Sequence, residues 1–133
     1  MIKIRTGFRD DQYYIIDDEE AHKVYYLFNN PEARTIFGNG VALIGKNIQG
    51  IEPAYNEIMG WNPTHRLDDD DWNEIRGRGV DRKMRNLLEE AKYIAQLSEK
   101  NPELLNKSLS EVKLLPEDEI NKETKQISEK MKI

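Results

Sequence analysis

The sequence predicts an α+β domain: a small antiparallel sheet in ββαββ order with a packed helix, then a long amphipathic helix and a polar C-terminal helix or tail. Three patterns carry this prediction. Ile2, Ile4 and Thr6 alternate with Lys3, Arg5 and Gly7, the two-residue period of a half-buried strand. Asp17 to Phe28 joins an acidic start to apolar residues at helical spacing. From Val80 to Ala95 a continuous apolar stripe recurs every three or four residues.

The first strand is followed by a charged turn from Gly7 to Gln12, and Tyr13, Tyr14, Ile15 and Ile16 make a second strand of high β propensity. Together they read as a hairpin. Asp17 is placed to accept from the free N–H groups of a first helical turn, with Glu20 three residues on, the spacing of a capping box. Asp18 and Glu19 complement the positive end of that helix. Ala21, Val24, Tyr25 and Phe28 share one face, His22 falls at the surface or half-buried beside it, and Asn29-Asn30-Pro31 stops the helix.

Thr35 to Phe37, Gly38-Asn39-Gly40 and Val41 to Ile44 predict a second hairpin, its loop built from residues that tolerate positive φ. Gly45-Lys46-Asn47 permits a tight turn, and Ile48 and Ile51 extend the pattern to Pro53. Residues 54 to 77 form a long connection holding Trp61 and Trp72, whose rings favour a packed segment. Val80, Met84, Leu87, Leu88, Ala91, Ile94 and Ala95 face the core of the long helix, with Arg82, Arg85, Glu89 and Lys92 opposite and Asn101-Pro102 as its stop. Leu109 to Leu115 covers part of the core. A single domain over 1–115 results, with 116–133 as a polar helix or tail whose sparse apolar residues are able to pair with a second copy.

The composition agrees. Hydrophobic residues make up 38% of the 133 and charged ones 34%, a balance that leaves part of the chain outside a core of ordinary size. There is no cysteine, which excludes disulfides, thiol nucleophiles and thiolate metal sites. No signal peptide or membrane span is recognised, so a cytoplasmic protein is expected. The net charge of −5 argues against a general nucleic-acid coat but leaves room for a local basic site.

Two stretches and one aromatic group carry the candidate chemistry. Arg76, Arg78, Arg82 and Arg85 follow or flank Gly77 and Gly79 at a helix entrance, where free N–H groups and guanidinium forks suit phosphate. The same charges would equally serve as a solvated helix face. Asp68, Asp69, Asp70 and Asp71 form an acidic run. Four consecutive side chains cannot converge on one cation, so no metal site is assigned. Asp71 as N-cap with Glu74 at the third helical position explains part of the run locally, and a basic partner explains the rest. Trp61 and His65 sit among Asn62, Thr64 and Arg66, a mix of aromatic faces and donors that suits a base or small ligand, or that simply pins the loop. No nucleophile elbow, phosphate loop, dinucleotide fingerprint or zinc-protease pair occurs, and no motif calls for a cofactor.

The spacing of the two strands, the capped helix and the Gly/Asn hairpin, followed by Val41-Ala42-Leu43-Ile44-Gly45-Lys46-Asn47-Ile48-Gln49-Gly50-Ile51-Glu52-Pro53, is similar to small modules in phage-encoded proteins of unassigned role. The resemblance spans residues 2 to 53. It implies a viral or mobile-element origin and no particular activity.

The leading expectation is a non-catalytic, phage-encoded binding protein that inhibits or modulates a host nucleic-acid-handling or defence complex through Asp68 to Asp71 and the aromatic loop. A second is a phosphate-ligand binder, of nucleic acid or a sequestered nucleotide, that uses Arg76, Arg78, Arg82 and Arg85 with Trp61 and His65. A third is a metal-dependent hydrolase built on the Asp run and His65.

Overall fold

A computed structural model of the chain describes residues 1–7 and 12–115. The first strand, β1 (Ile2–Arg5), lies at the centre of a three-stranded antiparallel sheet, between β2 (Tyr13–Ile16) and β5 (Gly50–Pro53). Ile4 sits opposite Tyr14 on one side and Ile51 on the other. The alternation predicted from the first residues holds: Ile2, Ile4 and Ile16 are fully buried, while on the opposite face the Lys3 ammonium lies 4.4 Å from the Tyr13 ring centre.

The predicted second hairpin is present as β3 (Arg34–Ile36) and β4 (Ala42–Ile44), but it forms a ribbon of its own. The α+β architecture therefore contains two small antiparallel sheets where one was expected. The division has a local cause at Gly45–Asn47, a 3-10 turn that ends the ribbon. A Cβ on Gly45 would stand 2.0 Å from the Leu27 carbonyl oxygen, so the chain presses against α1 (Ala21–Asn29) before leaving to pair with β1.

Asp17 does cap, accepting from the Glu19 N–H at 2.9 Å, but it opens a 3-10 turn over Asp18–Glu20 ahead of α1. The predicted return bond from Glu20 is replaced by a longer reach. Its carboxylate accepts from the Gly38 N–H at 3.0 and 3.1 Å, tying the helix entrance to the ribbon turn. Two placements on α1 differ from expectation. His22 is fully buried, and Phe28 is 49% exposed. The buried arc is wider than one stripe, running from His22 through Val24 and Tyr25 to Leu27, because α1 is covered by α4 as well as by strands.

The long connection holds α2 (Tyr55–Met59) and α3 (Asp69–Gly77), and α4 (Val80–Lys100) follows. Asn101 ends α4 as predicted, a 3-10 segment spans Pro102–Asn106, and Ser108 caps α5 (Leu109–Leu114) by accepting from the Glu111 N–H. Two apolar clusters result. The larger joins β1, α1, the ribbon and Met84, Ala91 and Ala95 of α4. The smaller joins Ile94 and Leu97 to Leu104, Leu109 and Val112. Among the described residues no helix is long and apolar enough to cross a membrane. The polar helix or tail expected over 116–133 lies outside the described residues.

Candidate functional site

The loop from Gly60 to Asp68, between α2 and α3, is exposed along most of its length yet bonded at nearly every step. Gly60 adopts φ 76° to end α2, a left-handed turn that favours glycine. The Trp61 N–H then donates to the Asn56 carbonyl at 2.7 Å. The Asn56 side chain reaches forward and donates to the carbonyls of Pro63 (3.2 Å) and His65 (2.9 Å). Asn62 Oδ1 accepts from both the N–H and the hydroxyl of Thr64, at 2.9 and 2.7 Å. The Trp61 and His65 rings lie 5.2 Å apart, and His65 Nε2 is 2.8 Å from Asp71 Oδ2.

The start of α3 corrects one prediction. The N-cap is Asp68, three residues before the Asp71 expected there. Asp68 accepts from the Asp71 N–H at 2.8 Å and Asp71 accepts from the Asp68 N–H at 3.0 Å, a complete capping box. The shift follows from the partners available. His65 and the Asp68 N–H both claim the Asp71 carboxylate, while Glu74 pairs with Arg78 at 3.0 Å. The Asp68 N–H, and after it His65, hold the Asp71 carboxyl below the ordinary aspartate value.

The four aspartates thereby separate into two kinds. Asp68 and Asp71 are consumed by the box. Asp69 and Asp70 are exposed, and their carboxylates make no hydrogen bond or ion pair among the described residues. No group of three or more His, Asp or Glu side chains among the described residues is placed to hold a metal ion.

The arginine stretch is divided differently. Arg76 lies 5.8 Å from the centre of the Trp72 ring, Arg78 pairs with Glu74, and Arg85 pairs with Asp81 at 2.5 Å. Arg82 is exposed and without a partner among the described residues. The N–H groups of Arg78 and Gly79 donate to the Glu74 and Arg76 carbonyls, each at 3.0 Å, so the glycine-flanked loop turns these donors inward. Asp81 also accepts from the Tyr55 hydroxyl at 2.8 Å. Burial, reinforced by Asp81, pushes the Tyr55 hydroxyl up to about 12, and Tyr55 meets Trp72 edge to face at 5.1 Å. This network locks α2, α3 and α4 together.

Sequence reasoning singled out Trp61, His65 and the aspartates but not Asn56, which clamps the loop. One asparagine at the start of a short helix gives no periodic signal, and its targets lie seven and nine residues away. The chain matches no protein-family model, no curated protein and no solved structure.

Proposed function

We propose that this is a non-catalytic binding protein that presents Asp69 and Asp70, in the first turn of α3 at the end of a braced loop, to a basic surface on a protein complex. The observation that carries the reading is the contrast within one acidic run: two carboxylates fix the loop, and the two between them are left free. A loop held in shape before contact loses little freedom on binding, and unneutralised carboxylates steer it towards cations. The partner class is a nucleic-acid-handling or defence complex in the cytoplasm, whose phosphate-binding surface is basic. The phage-like spacing of residues 2 to 53 motivates that choice.

The test is comparative capture from bacterial lysate by the wild-type chain and by an Asp69→Lys/Asp70→Lys variant. The wild type is expected to enrich basic nucleic-acid-handling proteins and the variant to lose them. Its stability should fall by about 1 kcal/mol, because two cations replace two anions in the first turn of α3 while the Asp68–Asp71 capping box stays intact. Equal capture by both chains rejects the reading. Capture of nucleic acid alone, abolished by Arg82→Ala, would transfer the site to the arginine stretch.

A further inference from the structure

The β3–β4 ribbon has a second kind of surface, remote in sequence from the acidic loop. Its register sets Arg34 opposite Ile44, Thr35 opposite Leu43 and Ile36 opposite Ala42. The Gly45 N–H donates to the Ala33 carbonyl and the Phe37 N–H to the Val41 carbonyl, at 3.0 and 2.8 Å. In an antiparallel ladder the inward-bonding residues alternate with outward-facing ones. Ala33, Thr35 and Phe37 therefore bond towards β4, and Arg34 and Ile36 turn their N–H and C=O groups to the open edge. Among the described residues nothing bonds to them.

The side chains follow the same alternation. Phe37 and Leu43 pack into the larger cluster, while Arg34, Ile36 and Ala42 face out, with Ile36 71% exposed. The outward face lines an open concavity of about 680 Å³, to which Asn47 also contributes. Arg34 is the one charged residue lining it, and it makes no ion pair among the described residues. Glu32, exposed before the strand, does not line it.

We propose that the outer edge of β3 is a strand-addition site for an extended segment of a partner protein, in which an apolar residue is followed two positions later by an acidic one. Paired antiparallel, the apolar residue lies opposite Ile36 and the acid opposite Arg34, and both exchange backbone hydrogen bonds with β3. Opposite charges and apolar pairs directly across a sheet are favourable. A second copy of this chain fits less well. A two-fold pairing that sets both Arg34 and Ile36 opposite β3 residues of the copy places the two Arg34 side chains diagonal to each other, a like-charge contact of the kind that protects edges from self-pairing. The register that sets Ile36 against Ile36 leaves Arg34 opposite Gly38, whose N–H already donates to Glu20.

The probe is the peptide acetyl-Ser-Thr-Val-Thr-Glu-Thr-Ser-amide, titrated into the ¹⁵N-labelled full chain. Saturable shifts are expected at the Arg34 and Ile36 amides. A peptide with lysine in place of glutamate should bind roughly fivefold more weakly, and Arg34→Glu should reverse that order. N-methylation of the valine and glutamate should abolish binding, whereas N-methylation of the flanking threonines should not. Arg34→Glu and Ile36→Thr change exposed side chains only, so their fold is expected to survive. Absence of saturable shifts with either peptide overturns the proposal, as does an unchanged preference in Arg34→Glu. The same amides shifting with protein concentration alone, together with a dimer in sedimentation, would make the occupant a second copy and also overturn it.

Discussion

His22 has no exposed surface, and its Nε2 lies 3.1 Å from the Leu104 carbonyl oxygen. A carbonyl only accepts, so the neutral ring carries its proton on Nε2 and leaves Nδ1 as a buried acceptor without a partner. Burial holds the imidazole below its ordinary value, and the Leu104 carbonyl opposes that only in part. The unfolded chain takes up the proton near pH 6.5, the folded chain only at a lower pH. Between the two the unfolded state binds more protons, so stability is complete above about pH 6.5 and falls as the pH drops below it. We expect this decline as the pH falls below about 6.5 in a His65→Gln background, where His22 is the remaining imidazole. An NMR titration of the ring checks the cause, and a ring that titrates at or above about 6.5 refutes it. The local pattern around His22 places it at the edge of a helical stripe. Its actual cover is 82 residues away, and no periodicity within one helix encodes a contact of that range.

At the scale of elements, the contact that divides the sheet rests on one glycine. Gly45 reads in the sequence as a residue for a tight turn, yet its φ is not positive; Gly40, Gly60 and Gly79 are the glycines with positive φ. The requirement at Gly45 is closeness, with a Cβ placed 2.0 Å from Leu27 O and 2.5 Å from Asn30 O. Gly45→Ala should cost roughly 2–3 kcal/mol, since backbone rather than a flexible side chain must move. Gly77, at the end of α3, has open space around a Cβ. Gly77→Ala should stabilise by roughly 0.5 kcal/mol through the unfolded state. Urea denaturation of the two variants checks both, and equal effects would show that the ribbon does not depend on the close approach. Strand identity and the turn were legible because each is local. The partner of Gly50–Pro53 was not, because β1 lies some fifty residues earlier. The cap of α3 failed for a different reason: each aspartate of the run is chemically able to cap, and the choice is made by His65 and by the loop that Asn56 clamps.

For the whole molecule, the stripe on α4 reads as one continuous core but serves two. Leu87 packs against both clusters, and beyond it Ala91 and Ala95 still face the larger one while Ile94 and Leu97 turn to the 3-10 segment and α5. The expected cover from Leu109 to Leu115 is thus largely a cluster of its own, attached to the rest by few polar links. Glu19 accepts from the Ser110 N–H at 2.8 Å and from its hydroxyl at 2.5 Å, His22 meets Leu104, and the Lys113 ammonium pairs with Glu90 of α4. The Ser110 bonds hold the Glu19 carboxyl below its ordinary value, which means the carboxylate form is the one that docks α5. A small cluster joined by such links should open more readily than the main one. Amides of α5 are therefore expected to exchange faster than those of β1, and Glu19→Ala should speed α5 further while leaving β1 and the ribbon unchanged. Acidification through the carboxylate range should act like the substitution, because protonation weakens Glu19 as an acceptor for both Ser110 donors. Exchange that accelerates uniformly in Glu19→Ala would mean the two clusters unfold as one unit. The separate response matters for function because the edge of β3 is anchored by Phe37 and Leu43 in the main cluster, so a partner bound there would stabilise the sheet without reporting on the docking of α5.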